Sequence, residues 1–191
     1  MSKIAIDFDN IHLVYPCAMY INSYRAAIAE YKRHNIIDFA YPNVRSRREV
    51  ASFLQQIDNS RRGINIRSGY VPTSAFWLVD GQNYIGSGDV RHFLNTRLQS
   101  FGGNIGYSIR PSAWRQGLGT LQLSLLLKEA AKLHISKPII TCFDDNTSSA
   151  KVIEKNGGVL IRKVINTCNN QTKLTRIYEI DLTRKMGCVM L

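Results

Sequence analysis

Gly117 and Gly119 stand two residues apart at the head of an apolar run, and no other spacing in the sequence is so directly fitted to chemistry. They belong to the turn Arg115-Gln116-Gly117-Leu118-Gly119-Thr120, which follows the segment Ile105 to Ile109 and the pair Arg110-Pro111. The first amides of a helix lack intrahelical acceptors and carry partial positive charge, so a diphosphate can accept several hydrogen bonds there. A Cβ at either glycine would obstruct its close approach. Taken alone, Gly-x-Gly before a helix also fits other nucleotide-binding turns or plain packing. The Walker pattern needs Gly-Lys-Ser/Thr, however, and the dinucleotide fingerprint needs a third glycine where this chain has Gln122. Coenzyme A is the diphosphate that remains favoured.

Such a turn needs a strand to deliver it and a helix to receive it. Asn104 to Arg110 reads as a strand stopped by Pro111. Gln116 to His134 is the clearest helix, with Leu118, Leu121, Leu125, Leu126, Ala130 and Leu133 on a broad apolar face suited to covering a sheet. Upstream, Ile11 to Tyr15 predicts a short strand, and Met19, Ser23, Ala26, Ala27, Glu30 and Tyr31 predict a helix ending near His34. Val50, Phe53, Leu54 and Ile57 place a second helix over Arg47 to Ile57, and Arg61 to Pro72 reads as a connecting loop. Ala75 to Asp80 and Tyr84 to Leu94 flank Gly81-Gln82-Asn83 as a hairpin. Downstream come a buried strand, Ile139 to Phe143, and a short helix, Asn146 to Asn156, stopped by Gly157-Gly158. Closing strands near Val159 to Ile165 and Leu174 to Leu182 complete a mixed α/β order, expected as one domain over residues 1–191.

The 191 residues, 45% of them hydrophobic, suffice for one domain with its own core, and a charged fraction of 20% argues against a disordered chain. Runs such as Leu123 to Leu127 are too short to cross a bilayer, and the segment holding Lys3, Asp7 and Asp9 lacks the apolar stretch of a secretory signal. The expected location is cytoplasmic. Cys17, Cys142, Cys168 and Cys188 form no C-x-x-C pair and no ligand spacing with His12, His34, His92 or His134, so reduced thiols and no metal are expected. The formal charge of +11 predicts attraction to polyanions. Much of it lies in Arg45, Arg47, Arg48, Arg61, Arg62 and Arg67, opposed only by Glu49 and Asp58. This reads as a solvated basic face, without the interleaved aromatics of a specific nucleic-acid motif. Cys188-Val189-Met190-Leu191 formally fits a prenylation box.

The stretch Gly106-Tyr107-Ser108-Ile109-Arg110-Pro111-Ser112-Ala113-Trp114-Arg115-Gln116-Gly117-Leu118-Gly119 resembles motif A of the GNAT acetyltransferases. Asn146-Thr147-Ser148-Ser149-Ala150-Lys151-Val152-Ile153-Glu154-Lys155-Asn156-Gly157-Gly158 resembles their motif B. The two together are far more specific than either alone. Phe76-Trp77-Leu78-Val79-Asp80, Arg91-His92 and Gly102-Gly103 further resemble a bacterial branch of that family, in which the prenylation box would be an accidental match.

The resemblance implies the acyl-CoA N-acyltransferase fold, an α/β fold whose central, mostly antiparallel mixed sheet is splayed between strands 4 and 5 and flanked by helices. It implies acetyl-CoA as cofactor and direct transfer to a primary amine in a ternary complex. The Ile109 backbone would pair with the pantetheine arm. Main-chain amides within Arg115, Gln116, Gly117, Leu118, Gly119 and Thr120 would hold the pyrophosphate, with Asn146 and Ser149 facing the cofactor from the other side. Asn146 suits an N-cap equally well, and the two roles are compatible.

Three positions depart from the family pattern: Trp114 where Arg or Gln is usual, Ile153 where a tyrosine often serves as general acid, and Gly158 where an aromatic follows the closing glycine. A thiol of pKa near about 8.5 leaves tolerably without a strong acid, so losing the tyrosine need not abolish transfer. Deprotonating an ammonium of pKa near about 10.4 calls for a base. His92 is the first expectation, with a structural histidine as the competing reading and Asp89 and Asp144 as alternatives. Ser149 could relay a proton or donate one to the thiolate. Cys142, in an apolar strand without an evident base, reads as a core residue.

Ile153 and the basic segment also keep open a GNAT-fold module that binds acyl-CoA or a polyanion without catalysis. The acceptor amine would be read by loops near the N-terminal helices, and the basic surface favours anionic acceptors over polyamines. Oligomeric state stays open, a homodimer included.

Overall fold

The computed structural model describes residues 4–36, 42–168 and 171–183. Four antiparallel strands form a first sheet in the order β1 (His12–Val14), β2 (Thr73–Val79), β3 (Tyr84–Arg91), β4 (Ile105–Ile109). A second antiparallel sheet follows the order β5 (Ile139–Phe143), β7 (Gln171–Glu179), β6 (Val159–Cys168). The expected splay is present: among the described residues no ladder joins β4 to β5. They meet only at their starts, where Gly103 bridges Ile140, the Asn104 N–H reaches the Ile139 carbonyl at 2.6 Å, and the Ile139 N–H reaches Asn104 Oδ1 at 2.9 Å.

Among the described residues five α-helices cover these sheets: α1 (Ile21–Arg33), α2 (Arg47–Arg62), α3 (Thr96–Ser100), α4 (Leu118–Lys132) and α5 (Thr147–Lys155). Strand alternation explains how the layers divide. Phe76, Gly88 and Tyr107 lie in register on the face that receives α4, and a Cβ on Gly88 would strike Leu126, so glycine there lets the helix approach. Trp77, Ser87 and Ser108 are the adjacent positions in that register and face α1 and α2, where Tyr24, Ala27, Val50, Trp77 and Tyr84 form a second core cluster.

Several boundaries differ from the sequence expectation for local reasons. Helix α2 runs to Arg62 rather than Ile57. A Ser46–Glu49 capping box starts it, and Gly63, at φ 73°, ends it in the left-handed conformation that favours glycine. Strand β3 stops at Arg91: the His92 N–H continues the register to the Pro72 carbonyl at 3.0 Å, but Pro72 has no N–H to return the bond. Helix α3, too short for a periodic signal, is capped by Asn95, whose Oδ1 accepts the Leu98 N–H at 3.0 Å. The closing hairpin extends to Cys168 and begins its return at Gln171. Among the described residues no helix is long and apolar enough to cross a membrane, and no group of three His, Cys, Asp or Glu is placed to hold a metal. Cys188 lies outside the described residues.

Candidate active site

The turn between β4 and α4 is more sharply bent than the sequence suggests. The α-helix starts at Leu118, two residues later than expected, with Gly117 as N-cap at φ 78° and Arg115 also left-handed at φ 60°. Alternating backbone handedness of this kind turns successive N–H groups toward a common point and makes an anion-binding concavity. Among the described residues the amides of Arg115, Gln116, Gly117, Leu118 and Gly119 have no acceptor, and the buried Nε2 of Gln116 has none either. The Thr120 N–H turns back to the Gly117 carbonyl at 3.0 Å, so the cradle ends at Gly119. A Cβ at Gly117 would project into open space, and one at Gly119 would meet Val152 Cγ2 at an ordinary 3.4 Å. This geometry can hold a diphosphate.

A buried ion pair fixes the approach to the turn. Arg110 pairs with Glu30 of α1 and donates to the Tyr84 carbonyl at 3.0 Å, while Glu30 Oε2 accepts the Ser112 N–H at 3.0 Å. Burial alone would raise the Glu30 carboxyl, but Arg110 and the Ser112 amide outweigh it and hold it below the usual carboxylate range. Sequence periodicity places Glu30 on a helix and Arg110 at a strand end, without indicating that they meet.

Strand β4 leaves one edge free. Its ladder to β3 uses Asn104 (to Arg91) and Arg110 (to Ile85), so by alternation Gly106 and Ser108 also face β3. Ile105, Tyr107 and Ile109 therefore turn their N–H and C=O groups toward the opening beside β5. The Ile109 carbonyl accepts the Trp114 indole N–H at 2.7 Å, and the Trp114 ring meets His34 edge-on at 5.2 Å.

Helix α5 brings two expected residues to the far side of that opening. Asn146 caps the helix, its Oδ1 accepting the Ser149 N–H at 3.0 Å. Ser149 Oγ lies 2.8 Å from the hydroxyl of Tyr107, whose side chain crosses from β4 to α5. Burial pushes the Tyr107 phenol well above the ordinary tyrosine range, partly offset by Ser149. Tyr107 lies inside the motif A stretch, yet nothing in sequence spacing marks it as Ser149's partner. Ile153 is fully buried in the core beneath α5.

A cavity of about 170 Å³ opens on the α2 side of β2 and β3, with walls that include Tyr24, Phe53, Trp77, Asp89 and Tyr107. Asp89 Oδ2 is shielded and lacks a hydrogen-bond donor. An Arg91 nitrogen stands 3.0 Å away without being aligned to donate, since the Arg91 Nη1 serves the Gly102 and Gly103 carbonyls at 3.1 Å each. Burial raises the Asp89 carboxyl above its ordinary range, against the pull of Arg91. His92 is not brought to this cavity: its Nε2 lies 2.9 Å from Ser74 Oγ, and burial followed by the nearby Arg61 lowers its pKa. Asp144 is committed to Arg176 at 2.6 Å and Lys163 at 2.8 Å. Cys142 is buried in β5, where desolvation raises its thiol.

A profile of the acetyltransferase (GNAT) domain matches residues 20–159. The chain belongs to the GNAT family. It is thus an acetyl-CoA-dependent acetyltransferase. The microcin C7 self-immunity acetyltransferase MccE, solved with acetyl-CoA and AMP, is 20% identical, with a TM-score of 0.67 over 91% of this chain and 93% of that one. The ribosomal L7/L12 alpha-N-protein acetyltransferase RimL, solved with coenzyme A, is 18% identical, with a TM-score of 0.68 over 95% and 99%. The Salmonella typhimurium acetyltransferase that modifies the N-terminal serine of ribosomal protein L7/L12 is 16% identical, with a TM-score of 0.66 over 90% and 95%. At such identities the likeness establishes the GNAT fold. No curated protein matches this GNAT chain significantly.

Proposed function

We propose that this acetyltransferase acts on a primary amine that enters through the α2-side cavity, by direct attack in a ternary complex. The observation that carries the reading is the pairing of two features along β4. Five consecutive amides without acceptors lie beyond its end, and a cavity holding a shielded carboxylate reaches it at Tyr107.

Acetyl-CoA, when bound, supplies an acetyl thioester with a tolerable leaving group. The amides of Arg115, Gln116, Gly117, Leu118 and Gly119 would hold its diphosphate, the exposed Arg115 side chain would add positive charge at the rim, and Thr120 would close the first helical turn behind them. The outward N–H groups of Tyr107 and Ile109 would orient the pantetheine arm and acetyl carbonyl along the open edge. Asn146 would keep α5 aligned, and Ser149 would donate to the leaving sulfur. Asp89 would take the proton shed by the ammonium, since desolvation makes its carboxylate a stronger base than an exposed one. In this reading His92 remains the partner of Ser74.

An acceptor carrying an anionic group is favoured over a polyamine. Arg47 and Arg48 open α2 with no ion pair among the described residues. Arg48 lines a second cavity, of about 440 Å³, that shares Pro42 and Phe53 with the first. Glu49 also lines that cavity, but its carboxylate already accepts the Arg45 and Ser46 amides at 2.6 and 2.8 Å.

The test is thiol release from acetyl-CoA over a panel of amines, including an acidic-tailed peptide and a polyamine, with Gly117→Trp as control. Turnover that the substitution removes, faster on the acidic-tailed amine, is expected. Thermal stabilisation by acetyl-CoA without turnover on any amine would overturn the catalytic reading, and a preference for the polyamine would overturn the acceptor assignment.

A further inference from the structure

The helix that usually offers a phenol to the leaving sulfur carries Ile153, and that side chain is sealed in the core, so α5 has no aromatic hydroxyl to present. A phenol nevertheless reaches this place from the opposite wall. Tyr107 stands on the free edge of β4, and its hydroxyl ends 2.8 Å from Ser149 Oγ and 3.3 Å from the Ser149 carbonyl, in the first turn of α5. We propose that Tyr107 is a positioning residue for the leaving sulfur: its phenol donates to Ser149 Oγ, leaving the Ser149 proton free to point into the β4–β5 opening, where it meets the coenzyme A sulfur. The inference rests on the preceding reading of that opening as the cofactor's place.

A hydroxyl has one proton and two lone pairs, so the direction of the Tyr107–Ser149 bond decides what Ser149 can do. Among the described residues, the acceptors bonded to the Tyr107 hydroxyl both belong to Ser149, and Oγ is the nearer. Were Ser149 to donate to Tyr107, the phenol proton would be left to the Ser149 carbonyl at 3.3 Å. The other arrangement uses the 2.8 Å contact and leaves the serine O–H to the β5 side, where the Cys142 thiol, a weak acceptor, is its protein partner until the coenzyme A sulfur takes its place. The groups around the phenol, Cys142 and Tyr178, are themselves protonated at neutral pH, and burial keeps the Tyr107 proton in place across the working range. A phenol held this way is a poor acid toward a thiolate of pKa near about 8.5, and it serves as a fixed dipole. The balance of the reaction follows. The ammonium gives its first proton to Asp89, the N–C bond forms and the C–S bond breaks, the sulfur leaves as thiolate accepting the Ser149 O–H, and the second proton, shed as the nitrogen becomes an amide, passes to solvent.

The test reads the ionisation of bound coenzyme A by NMR, with ¹³C at its thiol-bearing carbon, so that protein thiols do not contribute. Bound to the wild type, the thiol should titrate roughly one unit below the value measured for free coenzyme A in the same buffer, a tenfold stabilisation of thiolate. Tyr107→Phe and Ser149→Ala should each return it close to the free value, and the double variant should go no further. 3-Fluorotyrosine at position 107, a stronger donor of nearly the same shape, should lower the thiol further than the wild type does, which a purely space-filling role would not produce. If Tyr107→Phe fails to fold, Ser149→Ala and the fluorinated protein carry the same expectation. Coenzyme A that binds with its free-solution ionisation in the wild type, or equally lowered in every variant, overturns this inference alone. Failure of coenzyme A to bind overturns the underlying reading as well.

Discussion

Ile153 fills the space that a side chain on Gly158 would need: a Cβ built there would run into the Ile153 Cγ2 methyl and crowd its carbonyl. The two departures from the GNAT pattern in and just beyond α5 are therefore one packing solution, in which a buried aliphatic residue and a missing side chain replace two aromatics. Gly158→Ala should destabilise the fold by about 1–3 kcal/mol through overpacking, and Ile153→Ala by about 2–5 kcal/mol through the cavity it leaves. The double variant should fall short of the sum, because truncating Ile153 relieves part of the clash. Denaturant unfolding of the four proteins measures this, and strict additivity would refute the coupling.

The two glycines of the phosphate turn should respond differently to alanine. Gly117 needs φ 78°, so Gly117→Ala should cost about 1–2 kcal/mol from the left-handed conformation alone. At Gly119 a Cβ meets only ordinary contacts, so Gly119→Ala should melt within a degree or two of the wild type yet bind coenzyme A several-fold more weakly. Calorimetric titration beside thermal melting separates the cases. A Gly119→Ala protein with unchanged affinity would show that no ligand approaches there.

What the sequence made legible was whatever depends on neighbours along the chain. The strand before Arg110, the glycine turn, the apolar face of α4 and the Asn146 cap are all local patterns, and each was read close to its true place. What was not legible depends on pairings across the fold. Tyr107 reaches a residue 42 positions away and Glu30 meets Arg110 80 positions away, and no periodicity encodes either contact. His92 illustrates the converse. Its residue type suited a base, but Pro72, lacking an N–H, ends the ladder opposite it, and its ring goes to Ser74 while Asp89 lines the cavity.

Asp89→Asn should reduce kcat/KM by at least about 100-fold, the usual span for a general base. In the wild type the rate should rise with pH as the raised Asp89 carboxyl loses its proton, and the variant should lose that limb. Stability should move the other way. A carboxyl whose folded pKa exceeds its unfolded value favours the protonated folded state, so stability falls as pH climbs between the two. Asp89→Asn, free of that penalty, should melt higher than the wild type at neutral pH. A lower melting temperature would show that the Arg91 contact outweighs desolvation.

The Glu30–Arg110 pair predicts a stability loss at acid pH. Glu30 has a depressed folded pKa, so its contribution is complete above the unfolded value of about 4.3 and disappears as pH falls through the lower folded value. Glu30→Gln should lose part of that acid sensitivity. Removing one partner of a buried pair should cost about 3–5 kcal/mol at neutral pH and, by freeing the Ser112 amide, loosen the phosphate turn. Melting curves from pH 3 to 7 for both proteins give the comparison, and parallel curves would locate the acid sensitivity elsewhere.

Trp114 occupies a backbone acceptor that a ligand on the β4 edge would use. Its indole donates to the Ile109 carbonyl at 2.7 Å, and that carbonyl faces the opening. A pantetheine amide pairing with Ile109 must displace the indole or share the oxygen with it, so the ring's surroundings must change on binding. Trp77, the other tryptophan, is only 2% exposed, whereas Trp114 is 40% exposed, so a change in emission on adding coenzyme A belongs chiefly to Trp114. A saturable change is expected, at concentrations matching the calorimetric affinity, and Trp114→Phe should abolish the signal while keeping the fold. Full affinity with no emission change in the wild type would mean that the ligand bypasses Ile109 and leaves the indole bond intact.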